Sequence, residues 1–457
     1  MGDSSNVAAN ATRNAIYPIY CANPDAMVMN GLWRKKTNIS EFALTTYLIQ
    51  SIFFILLSRI FEFILSPLHQ PPFVSDVLVG IIFGSGYIIK DRKFNEIFVS
   101  KLGSPLLKLL GNFGLMYVMF LAGVKLDTTL VRGIKRKFAI TTAALFVLPI
   151  CFTFIASFKL GLGKDLIPQE ADIHRGLITA YASTQPGHMI LNDTEGFIKE
   201  IKRIGKQQRA CFLMFISLAL SLTSFPMVLY KVTKLKIIST EPGRLALSAA
   251  VISELIGWVA LATLISWWQL HLIAPLYLTC WAILWIFFCL IAVRPAVRWL
   301  QRRIPSTEQL TNRYVGLVMV GIAAGGLLNE IAGMHAAFGT FVLGLAFPAG
   351  PLAAVLVDRS EEFLANFMYR FYFITIGFTL DFRSTGDRVG RTNGSKNEGL
   401  ALMIVILVAM ACKLLCGLIV AVSFWMPAKD GLTLGILLLT HGPLNYYVLK
   451  VAFAKKV

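Results

Sequence analysis

The chain has 457 residues, of which 56% are hydrophobic and only 15% charged. Soluble domains carry about 25% charged residues, so these proportions and a mean hydropathy of +0.67 exclude an ordinary soluble protein. The net charge of +18 would suggest nucleic acid in a soluble chain, but here the bases fall mostly between apolar runs, which makes them signals of membrane orientation rather than of a nucleic-acid partner.

Residues 1–42 are polar, with no long apolar core after a basic start. They are read as an extracytoplasmic tail, not a cleaved signal peptide. Residues 43–453 then form the membrane domain, and 454–457 a short C-terminal end. Twelve apolar runs follow one another at about 43–65, 73–89, 105–126, 138–160, 211–230, 245–268, 272–294, 314–331, 333–350, 363–381, 399–424 and 430–453. Each is near the length a membrane-spanning helix requires, and alternating strand patterns are absent. The expected fold is therefore an all-α membrane protein of about twelve spans.

Orientation follows from Lys and Arg. The loops after runs 3, 5 and 7 hold thirteen bases, among them Arg132, Lys236 and Arg303. The short loops after runs 2, 6, 8 and 10 hold eight. The more basic side is expected in the cytosol, with the N-terminus outside. Four Asn-X-Ser/Thr acceptors, at Asn10, Asn38, Asn192 and Asn393, all fall on the outer side and are candidate glycosylation sites. Between runs 4 and 5, "EGFIKEIKRIGKQQR" reads as an amphipathic surface helix. The seven cysteines show no spacing for a metal centre or a disulfide framework. No cofactor is implied, and no resident metal.

Run 5 contains "SLALSLTSFPMVLY" and run 12 "GILLLTHGPLNYYVLK", with Pro226 and Pro443 near their centres. Proline removes a backbone donor and frees carbonyls. Free backbone groups in a bilayer require burial in protein or a wet cavity. Gly/Pro-interrupted spans at matching positions of two halves point to a transporter site. Run 6 adds one charged side chain, Glu254, in an apolar stretch from Leu245 to Trp268. An ionised side chain at mid-membrane costs about 2.5–3.5 kcal/mol, so such a group is functional by default. A carboxyl there can bind a proton and a cation in turn.

Several stretches together carry a family resemblance. "LGNFGLMYVMFLAGVKLD", "LSLTSFPMVL", "GRLALSAAVISELIGW" and "GMHAAFGTFVLGLAFPAGPL" resemble helices of plant cation/proton exchangers of the monovalent cation:proton antiporter 2 superfamily. The resemblance covers most of residues 20–453. It implies inverted repeats, two crossed discontinuous helices, exchange of K⁺ or Na⁺ for H⁺, and a homodimer in the plasma membrane or an endomembrane. It places Thr223 and Pro226 on motif positions and Asp76 on the acid of the second helix. The implied cation and proton ligands are Glu254, Ser253, Thr223 and Asp76, with Arg370 and His441 for charge compensation or relay.

The chain also departs from that pattern. Ser253-Glu254 stands where the family has Asn-Asp, and Thr379 where plant members place a lysine. His441 and Asn445 replace a base and an acid. Relatives add a thirteenth helix and a large C-terminal region. The alternative these departures raise is a transport-inactive paralogue with a regulatory or binding role.

Overall fold

The computed structural model describes residues 42–68, 70–84, 103–126, 136–164, 194–269, 273–303, 308–379 and 395–456. Among these residues the secondary structure is helical throughout. In chain order the helices are α1 (Ala43–Leu65), α2 (Pro72–Gly84), α3 (Gly103–Lys125), α4 (Arg136–Lys159), α5 (Thr194–Ser221), α6 (Phe225–Lys234), α7 (Glu241–Trp268) and α8 (Ala274–Phe288). They continue as α9 (Arg294–Arg303), α10 (Glu308–Ile331), α11 (Ala336–Ala346), α12 (Pro351–Phe363), α13 (Tyr369–Thr379), α14 (Ser395–Ser423), α15 (Ala428–Leu438) and α16 (Pro443–Lys456). Each of the twelve apolar runs contains helix. Among the described residues, seven helical segments are long and apolar enough to cross a bilayer alone, and α15 with α16, bent by 51° at their break, makes an eighth.

Burial sorts these segments into rim and centre. Along α1, Leu44, Leu48, Ile52, Leu56 and Ile60 recur every fourth residue and are all exposed. This stripe is the face a helix turns to lipid. Only 22% of the apolar part of α1 is buried, against 83% for α5 with α6. The segment made by α5 and α6 is thus the most enclosed of these seven. An integral, multi-pass membrane protein has its hydrophobic surface outside and its special backbone inside, and that is the arrangement here.

Local sequence explains the elements around the centre. Thr240 caps α7 by accepting from the Gly243 N–H, with a proline in the first turn. Small residues set the closest helix crossings. A Cβ on Gly80 of α2 would lie 2.3 Å from Ile374 O and 2.8 Å from Gly377 Cα of α13. These two helices therefore meet backbone to backbone.

Two expectations change. The stretch "EGFIKEIKRIGKQQR" is not a separate surface helix. It is the N-terminal half of α5, which runs unbroken from Thr194 into the membrane run. The prolines do not interrupt helices from within. Pro226 lies in the first turn of α6, and Pro443 is the first residue of α16. Each break precedes its proline, at residues 222–224 and 439–442. A first-turn proline has no lost hydrogen bond to replace, so it starts the second half-helix rather than kinking a continuous one. Asn10, Asn38, Asn192 and Asn393 all lie outside the described residues.

Candidate functional site

The two breaks cross. The Ser224 N–H donates to Thr440 O at 3.1 Å, and Thr223 Oγ1 donates to Leu438 O at 2.9 Å. Contact is close enough to need glycine: a Cβ on Gly442 would sit 2.0 Å from Ser224 Oγ. A helix that stops at mid-membrane leaves carbonyls at its end, and one that starts there leaves N–H groups. Each orphan group seeks a partner, because an unmatched one is expensive away from water.

At the C-terminal end of α5, three side chains meet the carbonyls. Lys413 of α14 donates from Nζ to Leu222 O at 2.8 Å. Asn445 of α16 donates from Nδ2 to Ala219 O at 2.8 Å and Leu222 O at 2.9 Å, while its Oδ1 accepts from the Gly442 N–H. His441 Nε2 lies 3.3 Å from Leu220 O.

At the N-terminal end of α6, two side chains of α7 meet the N–H groups. Ser253 Oγ accepts from the Thr223 N–H at 3.0 Å. Glu254 Oε2 accepts from the Phe225 N–H at 3.0 Å. Glu254 is fully buried. A carboxylate at a helix N-terminus and an ammonium at a C-terminus are the favoured placements for each sign. The broken span thus holds its two charged neighbours at opposite ends of the gap.

The cluster is not fully satisfied. Glu254 Oε1, Ser224 Oγ, Trp258 Nε1 and Tyr369 Oη are buried without a hydrogen-bond partner. Tyr369 lies within electrostatic reach of both Glu254 and Asp76. Its neighbour one turn on, Tyr372, donates to Pro443 O at 3.0 Å and joins α13 to the second broken span. Thr223, Ser253, Glu254, Pro226, Pro443 and His441 are therefore brought together at one crossing. The oxygens gathered there are the donors hard cations take.

Asp76 and Arg370 are placed elsewhere. Expected among the cation ligands, Asp76 instead accepts from Ser58 of α1 and pairs with Arg370 of α13, whose Nη1 is 3.3 Å from Oδ1. Arg370 Nη2 reaches Glu62 Oε2 at 2.7 Å. Near the inner end of its predicted run, Arg370 is a candidate to snorkel to the interface, yet it is only 3% exposed. Two carboxylates within reach hold it inside. Lys413, the one charged residue in its apolar run, was missed by the sequence reading, although the rule that singles out Glu254 applies to it equally. The described part of α13 includes Thr379, whose side chain lies outside what the structure describes.

A buried acid and a buried base thus stand at the two ends of an interrupted membrane span. A family model described as "Sodium/hydrogen exchanger, transmembrane" matches residues 209–457, more than half of the chain. The chain belongs to that family. Among curated proteins it is similar to Cation/H(+) antiporter 15 of Arabidopsis thaliana, 28% identical over 451 residues, which cover 96% of this chain and 48% of the relative. Cation/H(+) antiporter 18 of Arabidopsis thaliana is also 28% identical, over 96% of this chain and 48% of its own length. The chain spans about half the length of the curated relatives it matches. Among solved structures it aligns with the sodium proton antiporter MjNhaP1 of Methanocaldococcus jannaschii, at 12% identity and a TM-score of 0.49, covering 89% of this chain and 88% of the other.

Proposed function

We propose that this protein exchanges a monovalent cation, K⁺ or Na⁺, for H⁺ across a membrane, and that Glu254 carries the two ions in turn. One observation supports this above the others. Glu254 is enclosed, anchored through Oε2 to the start of α6, and keeps Oε1 unpartnered. A purely structural carboxyl is expected to use both oxygens. Ser253 and Thr223 supply further oxygen atoms beside it, and the names of the curated relatives include cation and proton. Ser253 has no proton to exchange in this range, so one carboxyl serves both ions. Competition of one H⁺ and one monovalent cation for a single carboxyl makes the exchange electroneutral. The basic segment at 298–303 faces the cytosol in this reading.

The test is ion flux in reconstituted vesicles. Glu254→Gln keeps shape and hydrogen bonding while removing the charge and the exchangeable proton. It is expected to abolish cation-dependent proton flux while leaving the protein folded. Glu254→Asp is expected to retain part of the flux. A Glu254→Gln variant that transports at the wild-type rate sinks the site, and wild-type flux that follows an imposed membrane potential sinks the one-carboxyl stoichiometry.

A further inference from the structure

The unpartnered oxygen of Glu254 has an unpartnered donor one helical turn away. Trp258 follows Glu254 by four residues on α7, which puts both on one face. Its indole is 1% exposed, and Nε1 has no acceptor in hydrogen-bonding geometry. The indole nevertheless lies close enough to act on the Glu254 carboxylate. An indole N–H can only donate and an ionised carboxylate oxygen can only accept. Two such groups, both buried, both orphaned and side by side, are one side-chain rotation from satisfying each other.

The ring that carries the N–H is held from two further elements. Trp258 lies against His335 with ring centroids 4.7 Å apart and the planes tilted by 32°. Tyr447 of α16 stands edge-on to His335 at 4.9 Å and lies 6.4 Å from Trp258. His335 is itself fixed, because its Nδ1 accepts from the Ala337 N–H at the start of α11. Next to Trp258, Gly257 packs tightly on Leu222 and Leu444 of the two broken spans, where a Cβ would be 2.4 and 2.8 Å from their side chains. The indole cannot easily turn, whereas a glutamate has three rotatable bonds. The carboxylate moves to the indole, not the reverse.

We infer that Trp258 is a positioning residue for Glu254: in the ionised, cation-free state its indole N–H takes Oε1, and an arriving cation competes with it for that oxygen. This rests on the exchange function proposed above. Trp258 touches neither ion and acts through the carboxylate alone.

The discriminating variant is Trp258→Phe, which keeps an aromatic ring against His335 and Tyr447 and removes the N–H. Exchange is measured in vesicles with K⁺ and with Na⁺ at alkaline pH, where proton competition is weakest. Losing the competing donor is expected to lower the KM for the cation by at least about tenfold, the lower end of the scale of one hydrogen bond to a charged group, and to slow cation release and so the maximal rate. A ring that only packs gives an unchanged or raised KM, and that result overturns the inference while Glu254→Gln still tests the exchange reading. A second measurement needs neither flux nor the Phe variant. Tryptophan emission of the detergent-purified wild type and of Glu254→Gln is followed during titration with KCl and with NaCl. Emission that changes in the wild type and not in Glu254→Gln supports the inference. No change in the wild type overturns it. Absent wild-type flux removes the exchange reading by itself, and the emission titration then decides the placement of Trp258.

Discussion

Among the described residues, buried charges occur in two regions and are handled in opposite ways. Around Arg370, opposite charges touch: one guanidinium serves Asp76 and Glu62, with Ser58 beside them. At the helix crossing, opposite charges are kept apart. Glu254 and Lys413 each bond to the backbone at different ends of the same gap, and no ion pair joins them among the described residues. Removing one partner of a buried pair leaves an uncompensated charge and costs about 3–5 kcal/mol. A cluster of that kind resists change. Charges held only by helix ends are stabilised by about 0.3–2 kcal/mol, an amount that an ion can offset. The first arrangement suits architecture and the second suits turnover.

That contrast can be broken by mutation. The largest effect on stability is expected at Arg370. Arg370→Leu strands Asp76 and should lower unfolding free energy by about 3–5 kcal/mol, read as a clear fall in detergent melting temperature. The double variant with Asp76→Leu should recover part of the loss. If Arg370→Leu melts with the wild type, the cluster is not architectural. At Lys413 the balance should invert. Lys413→Met leaves Leu222 O with Asn445, so stability should fall by only about 1 kcal/mol, the net value of one hydrogen bond. Cation-dependent flux should drop at least tenfold, which corresponds to about 1.4 kcal/mol on the barrier. Full flux in Lys413→Met would erase the distinction between the regions. The smallest effect is expected at Thr223→Val, which deletes the hydroxyl bond to Leu438 O and should cost roughly 0.5–1.5 kcal/mol. Hydrogen exchange at the 439–442 break should quicken in that variant while the rest of the protein is unchanged.

The sequence carried unequal amounts of these two regions. The helical membrane fold was legible because lipid allows only one way to satisfy a helical backbone, and twelve apolar runs state it. The breaks were legible as well, since Pro226 and Pro443 interrupt otherwise apolar stretches. Glu254 stood out as a lone acid. Lys413 carried the same signal inside "AMACKLLCGL" but has no proline or motif near it to draw attention. The Arg370–Asp76 pair was not legible at all. Its partners are 294 residues apart, and nothing local tells a paired arginine from one that reaches for the interface. The extension of α5 was lost for a similar reason: amphipathic periodicity specifies a helix but not where that helix joins the next.

The glycine contact between α2 and α13 has a mechanical consequence. Two helices whose backbones interlock, with Gly80 set against Gly377, cannot slide past each other without lifting apart. They behave as one stiff slab. The seam between α13 and α16 is different. There Phe373, which also packs on Phe73 of α2, meets Tyr446 edge-on at 6.4 Å, and a polar tie crosses from Tyr372 to Pro443 O. Rings in glancing contact keep most of their dispersion energy through small displacements, whereas meshed backbones do not. Shear is therefore directed to the aromatic seam, with the Tyr372 hydroxyl as its latch. A latch worth about 0.5–1.5 kcal/mol is strong enough to define a rest position and weak enough to be released thermally.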